Sequence, residues 1–236
     1  RELNIWNMFR SHQIEGVLYV TMYHRIVDPE AGDVVLPTVL INCHPGSRVD
    51  LPSIEPDDTQ GSRDLTRYLL ARGHKRIGYI RLNPILLGGE QRYEAFRQTM
   101  AEAGVAENDM IVRLGMEGPV GKEANYVYSA ARDILASSNR PTAIMCGNDE
   151  MAIQVYLAAL HLGLRIPEDV SIAGFDDFQT LSLALKPELT TAALPYYDLG
   201  FKGTERLNQL IATPGDRPAH VIVPCELIER GSVSSR

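Results

Sequence analysis

The chain has 236 residues, of which 44% are hydrophobic and 22% charged, with a formal net charge of −7. This is the composition of a globular protein of one large or two small domains, and the acidic balance argues against a segment that wraps nucleic acid by itself, because phosphate neutralisation needs a basic face. No run of eighteen apolar residues appears and the opening RELNIWNMFRSHQ is mixed in polarity, so neither a membrane span nor a signal peptide is expected.

In chain order, Leu3, Ile5, Trp6 and Phe9 read as an opening helix, followed by predicted strands at 16–20 and 39–42. A helix is predicted from Asp58 or Thr59, with Leu65, Tyr68 and Leu69 on one face and Gly73 as its stop. A strand at 77–80 precedes a second helix over 90–103, striped by Tyr93, Phe96 and Met100 and ended by Gly104. Strands at 111–114 and 143–146 then flank GMEGPVG and a segment in which Tyr126 and Tyr128 read as helical. The helix over 150–162 carries Met151, Val155 and Leu162 at helical spacing and stops at Gly163. A strand over 170–175 leads into Asp176 and Asp177. Beyond it the rhythm breaks into the extended KPELTTAALPYYDLG, a helix over 197–211 and one or two strands within 220–228. Short apolar runs alternating with helical patterns predict an α/β fold around parallel sheets.

The chemistry-bearing positions fall where strands end. Asp176 closes a buried strand, where a carboxylate can accept hydrogen bonds from vicinal hydroxyls or cap the next turn. Asn148 and Asp149 follow the strand at 143–146, and one of them can cap the following helix while the other faces a crevice. Arg92 follows the pair Gly88 and Gly89 and offers a planar fork to hydroxyls or a carboxylate; the alternative is a solvated arginine at a helix start. Asn42 ends a strand and can either contact a ligand or turn the chain. No dinucleotide fingerprint, phosphate loop or nucleophile elbow is present, so no catalytic residue and no cofactor are expected. The six histidines never pair at His-x-x-x-His spacing, and the adjacency of Cys43 and His44 is a poor metal site without further ligands, so no metal is expected either. His74 reads as a loop histidine satisfied by backbone groups. Cys43, Cys146 and Cys225 are far apart and odd in number, which fits reduced thiols in the cytoplasm.

Five stretches in order, LLARGHKRIGYI, RYEAF, PTAIMCGNDEMA, GLRIPEDVSIAGFDD and PELTT, followed by VPCELIERGSV, resemble the regulatory core of the LacI/GalR family of bacterial transcription regulators. The resemblance covers nearly all of the chain from Gly16 onward. It implies two doubly wound parallel-sheet lobes of the type I periplasmic-binding-protein kind joined by three crossings, with residues 1–82 and 193–213 in an N-terminal lobe and 83–192 and 214–236 in a C-terminal one. It also implies a small effector, a sugar or related metabolite, held by Arg92, Asn148, Asp176, Asn42 and Met116, with Asp149 supporting the loop; Asp177 is read from its own chemistry as a cap for the next turn or helix. Where many relatives place an aromatic ring, this chain has Met116, which leaves the usual sugar stack without its ring. A homodimer, operator DNA reached only through a headpiece before Arg1, and no membrane partner complete the expectation. About two strands before the first crossing is short for a doubly wound lobe, so further sequence before Arg1 is expected. A secreted solute receptor on the same fold is the alternative reading, and an α/β enzyme acting on a sugar or nucleotide a third.

Overall fold

The protein is described from a computed structural model, which covers residues 8, 9, 12–30, 32, 34–106, 110–213, 215, 216 and 219–236. Of the expected opening helix, Leu3, Ile5 and Trp6 lie outside the described residues. The chain divides into a smaller unit, residues 1–57 and 195–223, and a larger one, residues 58–194 and 224–236, so the backbone passes between them three times.

In the smaller unit, β1 (Val17–Val27), β2 (Thr38–Pro45) and β3 (Ser53–Asp57) are joined by β11 (His220–Pro224) in the order β1-β2-β3-β11. Strand β2 runs parallel to both of its neighbours. The last long helix of the chain, Tyr196–Ala212, lays Leu199 and Leu210 on Val39, Ile41, Ile54 and Val223.

The larger unit takes its elements in chain order: α1 (Asp58–Ala71), β4 (Ile77–Arg81), α2 (Leu87–Glu102), β5 (Ile111–Leu114), the short strands β6 (Met116–Glu117) and β7 (Ala124–Asn125), and α3 (Val127–Ala136). These are followed by β8 (Ala143–Cys146), α4 (Asp149–His161), β9 (Ser171–Asp176), the single turn α5 (Gln179–Ser182), β10 (Thr190–Ala193) and β12 (Glu226–Ile228). Its main sheet has the order β12-β10-β9-β8-β4-β5, parallel except for the β10–β12 pair. Alternation along the strands explains the two helix layers. Ile80, Ile144, Cys146 and Ile172 point to one face, where Val127, Ile134 and Val155 of α3 and α4 cover them. Tyr79, Met145, Ala173 and Phe175 point to the other, covered by Leu65 and Leu69 of α1 and Phe96 and Met100 of α2. His74, expected as a loop histidine satisfied by backbone groups, is buried with one ring nitrogen 2.9 Å from the Ser234 carbonyl and the other 2.9 Å from the side-chain hydroxyl of Thr142.

Three expectations are corrected. Residues 58–82, expected in the N-terminal lobe, belong to the larger unit, because β4 hydrogen-bonds between β5 and β8 and α1 packs beside α2 on the same sheet. Residues 214–223, expected in the C-terminal lobe, belong to the smaller unit, because β11 adds to the edge of β3. Strand β3 was not anticipated and β1 runs seven residues further than expected, to Val27 rather than Val20. The reason is common to both: Thr21, His24 and Glu55 are buried polar groups satisfied inside the sheet, Thr21 donating to the Asn42 carbonyl and His24 pairing with Glu55, so the pattern reads as loop.

Gly61 yields a prediction of sign. A helical Gly→Ala change ordinarily stabilises by about 1 kcal/mol, but a Cβ at Gly61 in α1 would meet Cys225 Cβ at 2.7 Å and the Phe175 ring at 2.9 Å. Overpacking costs about 1–3 kcal/mol, so Gly61→Ala is expected to lower the denaturation midpoint. A raised midpoint would show that the Phe175 ring can yield.

Candidate functional site

In the larger unit the parallel strands place their carboxyl ends along one edge, and the chain reverses direction between β4, which is followed outward by β5, and β8 on its other side. Crevices that bind ligands in open α/β sheets lie at such a reversal. The segments there are Arg81–Asn83 after β4, Gly147–Asn148 after β8 and Asp176–Asp177 at the end of β9.

Arg92 is brought to this edge by the start of α2. Gly89 lets the helix approach β4 closely, since a Cβ there would lie 3.0 Å from Leu82 Cβ. The guanidinium is buried. Its Nε donates to Asp58 Oδ1 at 2.6 Å, and its Nη1 donates to the Gly147 carbonyl at 2.8 Å and to Asp176 Oδ1 at 3.1 Å. Its carbon sits 3.8 Å above the Phe175 ring, a cation–π contact. Burial works against the positive charge, but Asp58 and Asp176 outweigh it and hold Arg92 ionised. The solvated alternative for Arg92 is excluded. Asp58, fully buried at the first residue of α1, reads in the sequence only as a helix start, and its partnership with a residue 34 positions away carries no sequence signal.

Asp176 is the solvent-facing end of this chain of charges, its side chain 19% exposed. Burial among neighbours raises its carboxyl to about 7; Arg92 opposes the rise and Asp58 adds to it. Asp176 and Asp177 both adopt positive φ, 116° and 48°. Such conformations cost about 1–3 kcal/mol each in residues with a Cβ and gather at functional sites. Asp177 does not cap a helix: it pairs with Arg230 at 2.8 Å and accepts from Ser182 Oγ at 2.9 Å, tying the end of β9 to the C-terminal segment.

Asn148 and Asp149 divide their tasks. Asn148 is the N-cap of α4, its Oδ1 accepting from Met151 N at 3.0 Å. Asp149 is fully buried and holds the neighbouring loops, accepting from Phe178 N at 2.9 Å and from Thr191 Oγ1 at 2.7 Å. Burial, together with the charge of Asp176, pushes the Asp149 carboxyl up to about 7.

The structure therefore gathers Arg92, Asn148 and Asp176 at one edge. Met116 follows β5 on β6, half-buried, paired with Asn125 and packed against the apolar core, and the Gly115 N–H before it donates to the Arg81 carbonyl at 2.9 Å. Asn42 belongs to the smaller unit, where its φ of 56° sits at an irregularity between β1 and β2 and its Nδ2 donates to the Thr21 carbonyl at 3.0 Å. Its Oδ1 is buried without a partner among the described residues.

The periplasmic binding protein-like domain family matches residues 66–233. The HTH-type transcriptional repressor PurR of Pasteurella multocida is 32% identical over 99% of the chain, which spans 68% of that repressor's length. A crystal structure of a Rhizobium etli protein described as a LacI-family transcriptional regulator is 67% identical, covering 99% of this chain and 83% of that one at a TM-score of 0.94. The chain belongs to the LacI/GalR family. It carries the ligand-binding domain of such a regulator, on the α/β scaffold with mostly parallel sheets that the family's core structures share. The same LacI-family scaffold appears in an Enterococcus faecium regulator with bound ribose, 20% identical over the whole chain and 85% of that one, at a TM-score of 0.80.

Proposed function

We propose that Arg92, Asn148 and Asp176 hold the effector of this regulator, a small neutral metabolite rich in hydroxyl groups. The observation that carries the reading is the clamp itself: a buried guanidinium fixed between two aspartates at the carboxyl ends of parallel strands, with only the outer aspartate reaching solvent. A carboxylate so placed accepts hydroxyl donors, and hydrogen bonds to a charged group contribute about 1.5–3 kcal/mol each. The Asn148 amide supplies a donor beside it. The ribose in a LacI-family structure of the same fold supports a sugar as the ligand class. Met116 remains part of the proposed ligand set, and Asn42, in the smaller unit, remains a separate candidate through its Oδ1, which has no partner among the described residues.

On this reading the chain is not an enzyme. It acts in the cytoplasm, where its free cysteines are buried and reduced, and it binds operator DNA through a headpiece outside this sequence. Among the described residues no helix is long and apolar enough to cross a membrane. Homodimerisation is proposed through α4, whose Leu157 and Leu160 are 53% and 65% exposed. An effector alters DNA affinity only by its difference in affinity for two conformers, about tenfold for each 1.4 kcal/mol.

Calorimetric titration with a panel of pentoses, hexoses and nucleosides tests the assignment. Asp176→Ala and Asp176→Asn are each expected to weaken the ligand found by at least about tenfold while circular dichroism stays unchanged. Because the Asp176 carboxyl is raised to about 7, wild-type affinity is expected to fall as pH drops through that value and the acceptor is lost. Unchanged affinity in both variants removes Asp176 from the site.

A further inference from the structure

Away from the Arg92 clamp, the smaller unit assembles a second group of functional side chains. Ser53 and Glu55 project from the same face of β3, as residues two apart in a strand do. Glu55 is 3% exposed on a strand flanked on both sides. Its Oε2 lies 2.9 Å from His24 Nε2 of β1, and its Oε1 lies 2.9 Å from His44 Nδ1 of β2. Ser53 Oγ also donates to Oε1 and lies 2.9 Å from Nδ1 of His220, the first residue of β11. The imidazoles of His44 and His220 face one another with ring centroids 5.5 Å apart.

A buried carboxylate needs a compensating charge, because removing an ion from water costs several kcal/mol even after relaxation. Among the described residues no lysine or arginine reaches Glu55; its neighbours are imidazoles. His24 Nε2 faces Oε2, which leaves Oε1 to the facing imidazoles of His44 and His220. A divalent cation placed among these groups would take the carboxylate and both imidazoles as ligands at once.

We propose that His44, Glu55 and His220 form a binding site for a divalent transition-metal ion, zinc being the fitting case, with two imidazoles and one carboxylate as ligands. Their donor atoms lie within 4.8 Å of one another. Zinc bonds of about 2.0–2.2 Å in a tetrahedron set ligand atoms roughly 3.4 Å apart, so side-chain shifts of about 1 Å complete the site. His24 and Ser53 then serve as the supporting shell that hydrogen-bonds the ligating carboxylate and fixes its orientation. The side chains of His44 and His220 are 44% and 41% exposed, which gives the ion an entry path and leaves the fourth position to water. Imidazole and carboxylate donors without thiolate favour zinc, nickel or copper over calcium or magnesium.

The test is calorimetric titration of the chelator-stripped chain with zinc chloride, with cobalt(II) absorption as a second readout of nitrogen and oxygen ligation. One ion per chain is expected to bind in the low micromolar range or tighter. His220→Ala is expected to weaken it by about tenfold or more, and the His44→Ala, His220→Ala double variant to abolish it. His161→Ala, a histidine of α4 in the other unit, is expected to change nothing. Both cluster histidines are partly exposed, so thermal melting will show that the variants fold. Failure of the wild-type chain to bind zinc below about 100 μM overturns the proposal, as does binding by the double variant equal to wild type.

Discussion

Arg92→Ala is expected to destabilise the larger unit by about 3–5 kcal/mol, the cost of leaving a buried charge without its partner. The reason is Asp58. Its side chain is fully buried and its Oδ1 takes the Arg92 Nε hydrogen at 2.6 Å, so removing the guanidinium takes the cation away from a buried carboxylate. The Gly147 carbonyl loses its donor as well, and the Phe175 ring loses the cation above it. Urea denaturation at neutral pH measures the effect. Arg92→Lys is expected to fall between wild type and alanine, since one ammonium cannot reproduce the fork that spans Asp58, Gly147 and Asp176. Adding Asp58→Asn to Arg92→Met is expected to recover part of the loss, because the double replacement also removes the buried carboxylate that has lost its cation. A cost for Arg92→Ala below about 1 kcal/mol would mean that the clamp does not support the fold. Any ligand role of Arg92 must therefore be read from variants that keep its charge.

The alternation of strands and helices in the larger unit was legible because local pattern and tertiary burial agree there. Leu65, Tyr68 and Leu69, then Tyr93, Phe96 and Met100, lie at helical spacing, and each helix ends at a glycine, Gly73 and Gly104, whose positive φ suits that stop. The placing of Asn148 and Asp176 together was legible because each follows or ends a strand, whereas Arg92 reaches the same edge from α2, a position the family resemblance suggested. Long-range pairing was not. Strand β3 contains Pro56, Glu55 and Asp57, a composition that argues for a loop until His24, 31 residues earlier, and His44, 11 residues earlier, come to lie against Glu55. The lobe boundaries were misplaced for the same reason: sheet order, which puts β4 between β5 and β8, is a pairing of distant segments that leaves no mark in local periodicity. The contribution of Asp58 is hidden because the residue is also an ordinary helix starter.

Asp149 separates two contributions that the Arg92 clamp combines, acceptor geometry and charge. Its oxygens take the Phe178 N–H and the Thr191 hydroxyl, so Asp149→Ala leaves a backbone donor and a hydroxyl buried without acceptors. That is expected to cost about 2–4 kcal/mol at every pH. Asparagine keeps both contacts, because its carbonyl can accept from Phe178 while the Thr191 hydroxyl rotates to accept from the amide. The charge contribution has a definite sign. The folded carboxyl is raised to about 7 from an ordinary value of 3.8. Between those values the folded chain therefore keeps a proton that the unfolded chain has lost, and stability falls as pH rises through that window, then levels off above 7. Asp149→Asn is thus expected to match wild type near pH 4 and to exceed it at pH 8 by an amount on the order of a few kcal/mol. A smaller slope remains from Asp176, which is raised in the same direction and loses one repelling neighbour in the variant. Chemical denaturation of wild type and both variants at pH 5, 6, 7 and 8 decides the matter. Parallel curves for wild type and Asp149→Asn would assign the titration elsewhere, whereas convergence at low pH with Asp149→Ala below both throughout would show that the loop is held by acceptors and strained by charge.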